Sequence, residues 1–264
     1  MTDLSEQRLR DAADALARAE RTATPIAPLS ERWPELTAEG AYAIQQHNIQ
    51  RRVEAGAEVR GHKVGLSSRA MQEMMGIEEP DYGHLLDDMF VFEGESIALE
   101  ELCTPRVEIE VAFVLGQPLP GRSCLVADVL RATEFVLPAI EVIDSRIQDW
   151  KIGLTDTIAD NASSCRAVLG GNPVRLQELD DLRGIDARLT ISGVEAARGS
   201  SSAVLGNPAT AVAWLARKLS GFGVSLEAGH VILPGSCTAA FSVNPGANVR
   251  ADFDGLGPVE VHFE

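Results

Sequence analysis

Residues 104–117, T-P-R-V-E-I-E-V-A-F-V-L-G-Q, constrain this chain more than any other stretch. After Pro105 the apolar residues alternate strictly, which predicts a β-strand. Val107, Ile109, Val111, Phe113 and Leu115 share one face, while Glu108, Glu110, Ala112 and Val114 share the other. The second face sets two carboxylates about 7 Å apart at Cα, two residues along an extended chain. It then continues as apolar surface, where a solvent-facing strand would continue polar. Like charges at the edge of a dry site are unfavourable unless a cation lies between them. Glu108 and Glu110 therefore read as ligands of a divalent metal. The alternative is a strand rim with two solvated glutamates neutralised by Arg106.

A third acid strengthens the metal reading. Glu141 sits in F-V-L-P-A-I-E-V-I-D, inside an apolar strand. A buried carboxylate without a partner costs several kcal/mol or is protonated. Arg146, five residues on, is one available partner; a site shared with Glu108 and Glu110 is the simpler one. All-oxygen ligation selects a hard ion, Mg²⁺ or Mn²⁺, and three carboxylates leave coordination positions for substrate and water.

Other residues are weighed the same way. Lys63, in G-H-K-V-G-L, is either an edge charge or a cation that binds an oxyanion or transfers a proton. His62 and His84 are structural histidines or proton shuttles. Asp81, in E-P-D-Y-G, is a turn residue or a reactive loop acid. Gly235, Ser236 and Thr238, in L-P-G-S-C-T-A-A, form an ordinary turn or offer donors to a substrate carboxylate. Phosphate-loop, dinucleotide, serine-elbow and zinc-protease motifs are absent from the sequence.

Composition narrows the classes. A net charge of −16 over 264 residues argues against a nucleic-acid or anionic-membrane surface. No apolar run approaches ~20 residues, and the polar start M-T-D-L-S-E-Q-R-L-R does not read as a secretory signal. Cys103, Cys124, Cys165 and Cys237 show no paired spacing, which fits a reducing cytoplasm.

Periodicity predicts an amphipathic helix over 4–21 (Leu9, Ala12, Ala13, Leu16), a connector over 24–34, and a helix over 38–54 capped by Thr37, with Tyr42, Ile49 and Val53 on one stripe. A strand follows over 59–66, a short helix over 68–75 and a loop over 76–86 with Pro80, Asp81 and Gly83 as turn residues. Beyond the glutamate strand come a helix near 126–133 and a strand over 135–143, where Pro138 suggests an edge or bulge. A polar irregular stretch follows from residue 144. Strands over 165–169 and 187–191 lead to a helix capped by Asn207 and opened by Pro208. Strands over 231–233, 248–253 and 259–263 close the chain. The sum is an α+β plan on a rolled or barrel-like sheet, with residues 1–57 as a small helical N-terminal lobe and 58–264 as the metal-binding catalytic domain.

Several stretches together resemble one family: G-H-K-V-G-L-S-S (61–68), E-P-D-Y-G-H-L (79–85), P-R-V-E-I-E-V-A-F-V-L (105–115), V-L-P-A-I-E-V-I-D-S-R-I-Q-D-W (136–150), D-T-I-A-D-N-A-S-S (156–164) and L-G-N-P-A-T-A-V-A-W-L-A-R-K-L (205–219). The chain is similar to the fumarylacetoacetate hydrolase superfamily, in its branch of 2-keto-4-pentenoate hydratases and 4-oxalocrotonate decarboxylases. The resemblance spans nearly the whole chain. It implies a mixed β-roll, an E-x-E…E metal site falling on Glu108, Glu110 and Glu141, an active-site lysine at Lys63 and an acid at Asp81. It also implies homo-oligomers that associate with a pathway aldolase or sister decarboxylase. The His/Glu pair of the C–C hydrolases has no match here. The implied activity is hydration of a small 2-hydroxy-2,4-dienoate to a 4-hydroxy-2-oxo acid, as in meta-cleavage of aromatic or steroid rings. A decarboxylase on the same metal site is the alternative, and a catalytically silent partner subunit a further one.

Overall fold

The structure, a computed structural model, describes residues 4–67, 72 and 79–264. Two long helices open it, α1 (Glu6–Thr22) and, after the short α2 (Leu29–Arg32), α3 (Ala38–Glu54). Ser5 and Thr37 cap α1 and α3, their side chains accepting from the amides of Arg8 and Gly40. These bonds satisfy donors that a helix start leaves open. Ala12, Ala13, Leu16 and Ala19 bury one face of α1. On α3 the buried set is Gly40, Ala41, Tyr42, Ile44, Gln45 and Ile49, while Val53, expected on the stripe, is 42% exposed. Buried Gln45 donates to the carbonyls of Tyr82 and Ile158, tying α3 to two segments that wall the site.

The strands are β1 (Val59–Gly65), β2 (Asp81–Leu86), β3 (Phe90–Val91), β4 (Ser96–Ile97), β5 (Arg106–Leu115), β6 (Thr133–Ile143) and β7 (Ser164–Leu169). After them come β8 (Asp186–Ile191), β9 (Val194–Ser200), β10 (Val231–Leu233), β11 (Phe241–Ser242), β12 (Asn248–Phe253) and β13 (Gly257–Phe263). Among the described residues the larger sheet runs β2-β1-β10-β5-β6-β7-β3, with β11 on β5, and the smaller runs β4-β13-β12-β8-β9. Parallel β1–β10 and β3–β7 pairs within antiparallel neighbours make the larger sheet mixed. The expected α+β roll is the observed architecture. Val107, Ile109, Val111, Phe113 and Leu115 are all buried, as their alternation predicted, in one core with Leu16, Tyr42 and Val261.

Further helices are α4 (Val126–Ala132), α5 (Leu154–Ala159) and α6 (Pro208–Ser220). As expected, Asn207 caps α6, its side chain accepting from the Ala209 amide. None of the described helices is long and apolar enough to cross a membrane.

Four local expectations are corrected or fall outside what is described. Residues 81–86, expected as loop, form β2, buried throughout and antiparallel to β1. Asp81 and Gly83 imitate turn residues, but Gly83 is required by close approach: a Cβ there would lie 2.4 Å from the Asn161 carbonyl oxygen. Pro138 sits in a central strand, since β6 pairs with both β5 and β7. The ladder to β7 stops at Ala139–Leu169, and the Pro138 carbonyl accepts from Gly170 as the partner turns away. The missing N–H therefore falls where no acceptor is needed. Within the polar stretch after residue 144, residues 154–159 are helical, and V-E-A-A-R-G-S, unassigned from the sequence, forms edge strand β9. The helix expected over 68–75 lies outside the described residues except at Gln72.

On the outer face of the β1–β2 pair, His62 and His84 are cross-strand neighbours with rings 4.8 Å apart. His84 is held by Gln45 and Gln46, whereas neither ring nitrogen of His62 has a partner among the described residues. Burial lowers both pKa values, that of His84 to about 4, with His84 and His230 lowering His62 further.

Two predictions follow from this packing. Gly83→Ala must displace a backbone atom and is expected to cost about 1–3 kcal/mol in urea unfolding. Gly184→Ala, with open space around it, should stay within about 0.5 kcal/mol. For the histidines the folded pKa lies below the unfolded value of about 6.5, so the unfolded chain takes up protons first. Their contribution is complete above pH ~6.5 and is lost as pH falls toward about 4. His62→Leu should flatten the decline of the urea midpoint across that window.

Candidate active site

The site grows from the β5–β6 register. Glu108 stands directly across from Glu141, and Glu110 lies two residues further along the same face. One oxygen from each of these three carboxylates lies within 4.8 Å of the others. Glu110 and Glu141 are fully buried, and Glu108 is half-buried in the wall of a cavity of about 290 Å³. Cross-strand like charges repel, and burial raises all three pKa values, Glu108 to about 7 against the opposing pull of Lys63.

Lys63 is the buried counterion. Its Nζ lies 3.3 Å from Glu141 Oε1 and donates to the Ala162 carbonyl at 2.8 Å. Burial alone would lower its pKa, but Glu141, Asp81, Glu108 and Glu110 together outweigh this and keep the ammonium charged. Asp81 faces the same space from β2, opposite Gly65 in register. A Cβ on Gly65 would sit 2.1 Å from Asp81 Oδ1 and 3.2 Å from Lys63 Nζ, so glycine makes room for this pair. Thr157 on α5 donates to Asp81 Oδ2, leaving Oδ1 without a partner among the described residues.

The Ala162 carbonyl is aimed by an unusual turn. Asn161, Ala162 and Ser163 have φ of 55°, 51° and 54°. Three consecutive non-glycine residues in the left-handed region cost roughly 1–2 kcal/mol each. Asn161 offsets this by bracketing the His84 backbone, accepting from its amide at 2.8 Å and donating to its carbonyl at 2.9 Å.

Arg146, the other partner considered for Glu141, is committed elsewhere. Its Nε donates to Asp160 at 2.6 Å, and the rest of its guanidinium goes to backbone carbonyls of Asp144, Asp160 and Ser164. Among the described residues Glu141 therefore keeps no arginine, and both its oxygens lack hydrogen-bond partners, as does Glu110 Oε1. Orphaned buried carboxylate oxygens converging on one point, all of them hard donors, fit a hard divalent cation.

The late motif is placed differently from the rest. The Gly235 amide donates to Glu110 Oε2 at 2.7 Å, so this glycine orients a carboxylate. Ser236 Oγ lies 3.3 Å from both the amide and the carbonyl of Ile109, and Thr238 Oγ1 donates to the Ala239 carbonyl. Neither side chain lines the cavity, where Ala240 contributes instead. His62 and His84 lie on the opposite pleat from Lys63, beside a separate surface cavity. Thr157, Gly65 and the 161–163 turn went unassigned from the sequence. The only signal for them was their place in the D-T-I-A-D-N-A-S-S and G-H-K-V-G-L stretches.

Known proteins resemble this chain over nearly its full length. The 2-oxo-hept-4-ene-1,7-dioate hydratase of Escherichia coli is 41% identical over 257 residues, 95% of this chain and 96% of that protein. The 2-keto-4-pentenoate hydratase of Paraburkholderia xenovorans (strain LB400) is 41% identical over 261 residues, 99% of this chain and 97% of that protein. The solved structure of 4-oxalocrotonate decarboxylase from Pseudomonas putida G7, complexed with magnesium and adipate, is 37% identical with a TM-score of 0.95, covering 100% of both chains. The fumarylacetoacetate (FAA) hydrolase C-terminal model matches residues 53–264, and with the mixed sheet and these relatives it places the chain in the fumarylacetoacetate hydrolase C-terminal family.

Proposed function

We propose that this protein is a metal-dependent hydratase that adds water to a 2-hydroxy-2,4-dienoate and releases a 4-hydroxy-2-oxo acid. The convergence of three carboxylates, faced by one lysine, beside a cavity lined by Glu108, Lys63 and Asp81 carries the reading. The 41% identity to hydratases over 95% or more of the chain supports it. Glu108, Glu110 and Glu141 are the residues that would hold the ion, Mg²⁺ or Mn²⁺ by the hardness of the donors. When bound, such an ion polarises the substrate oxygens at C1 and C2 and offsets enolate charge.

The chain's own groups then handle protons. Ketonisation moves the proton of the 2-hydroxyl to C5, after which water adds its hydroxyl at C4 and its hydrogen at C3. Lys63 Nζ, kept charged by its carboxylate neighbours, is the donor, and Asp81 Oδ1 is the acceptor. Thr157 holds the other Asp81 oxygen and so fixes which lone pairs face the cavity. Apolar Leu66, Ile143 and Ile152 exclude bulk water from the same cavity. The enzyme acts as a cytoplasmic homo-oligomer in this proposal.

A decarboxylase is the second reading, favoured by the TM-score of 0.95 to 4-oxalocrotonate decarboxylase. Both reactions stabilise the same enolate, so the product distinguishes them. Purified protein given 2-hydroxypenta-2,4-dienoate and Mg²⁺ should bleach the diene absorbance and yield 4-hydroxy-2-oxopentanoate, with loss of activity in chelator. Release of CO₂ from a 2-oxohexenedioate without dienoate hydration would establish the decarboxylase instead. Lys63→Ala is expected to lower turnover by ~10²–10⁴-fold, the usual contribution of one acid–base group. Glu110→Gln should raise the Mg²⁺ concentration needed for half-maximal activity; an unchanged value would remove Glu110 from the ligand set.

A further inference from the structure

The cavity contains one charged side chain that the chemistry above leaves idle. Arg106 opens β5 on the same strand face as Glu108 and Glu110, about 7 Å from Glu108 along the backbone. It lines the cavity together with Trp150. Its guanidinium carbon lies 4.4 Å above the Trp150 ring centroid. Among the described residues it makes no ion pair within 4 Å, not even with Glu108, and its side chain donates no hydrogen bond. Among the described residues, Lys63 is engaged by Glu141 and Ala162, and Arg146 by Asp160.

The platform beneath Arg106 is built. The Trp150 indole N–H donates to the Thr104 carbonyl at 3.0 Å, which fixes the ring. Asp149 and Trp150 hold φ of 56° and 55°, left-handed values that non-glycine residues adopt only when their surroundings impose them. A guanidinium stacked by its face keeps its N–H edge free, and that edge matches a carboxylate bidentately. The cavity wall also carries apolar Ile143, across from Arg106 in register, and Ile152. A ligand matched to this space has an anionic group at each end and a short hydrocarbon span between them.

We propose that Arg106 receives the distal carboxylate of the substrate, so that the preferred substrate is a dicarboxylic 2-hydroxydienoate and not one with an alkyl tail. This rests on reading the cavity as a dienoate hydratase site. The competing role for Arg106 is to screen Glu108, which would serve all substrates equally.

The test pairs 2-hydroxyhepta-2,4-diene-1,7-dioate with 2-hydroxyhepta-2,4-dienoate, equal in length and differing in the end group. It uses the wild type, Arg106→Gln and Arg106→Lys. The wild type is expected to favour the diacid in kcat/KM by about 10–100-fold, the range of a charge-assisted hydrogen-bonded pair. Arg106→Gln should bring the ratio close to one, mainly through KM for the diacid, and Arg106→Lys should restore part of it. A wild type without diacid preference, or a preference that survives Arg106→Gln, overturns the proposal. So does a parallel fall for both substrates with a weakened Mg²⁺ dependence, the signature of screening. Calorimetric binding of adipate against hexanoate in Mg²⁺ reads the same selectivity without turnover. If neither dienoate reacts but adipate binds about tenfold or more tightly than hexanoate in an Arg106-dependent way, the hydratase reading fails and the Arg106 assignment stands. Loss of that selectivity alongside normal hydration refutes the assignment alone.

Discussion

Three carboxylates brought together by β5 and β6 set the terms for the rest of this protein. Glu108 and Glu141 are cross-strand neighbours, Glu110 joins them on the same face, and Glu110 and Glu141 are fully buried. Repulsion and desolvation both oppose such a cluster. Lys63, from a strand on the other side of β10, supplies one positive charge against three negative ones. Burial first, with like-charge repulsion added, raises their pKa values and, with the oxygens left unpartnered among the described residues, is the physical basis for expecting a divalent cation there.

Much of the surrounding structure serves to hold these groups at close quarters. Gly65 leaves space for Asp81 beside Lys63, and Gly83 lets the Asn161 turn approach β2. That turn adopts an unfavourable backbone conformation, and its Ala162 carbonyl orients the Lys63 ammonium. The Gly235 amide fixes one oxygen of Glu110, while Arg146 and Asp160 lock the base of the turn as a separate buried pair. Arg146 therefore reinforces the scaffold without neutralising the cluster. The Arg106–Trp150 stack lines the same cavity as Lys63, Asp81 and Glu108.

The two levels of description divide along a physical line. Local pattern carried the strands whose faces differ in polarity, because alternation is the imprint of one buried face: residues 106–115 on β5 and 248–253 on β12 are the clear cases. Caps at Ser5, Thr37 and Asn207 bond within their own helices, so Thr37 and Asn207 could be recognised from neighbours in the chain. The three glutamates were legible because an acid in an apolar strand is costly without a partner. β2 was misread because Asp81 and Gly83 belong to the turn vocabulary, yet here they answer to Lys63 and Asn161, contacts made across long sequence separations.

Sequence by itself thus determined the mixed α+β character, the glutamate-bearing strands and which three acids stand out in apolar surroundings. Only the tertiary structure decided which cation each acid meets. It paired Arg146 with Asp160 and left Glu141 to Lys63, spent the Gly235 amide on Glu110, set Thr157 behind Asp81 and stacked Arg106 on Trp150. Such pairings follow from strand register and from how closely two backbones approach, and no local periodicity encodes either.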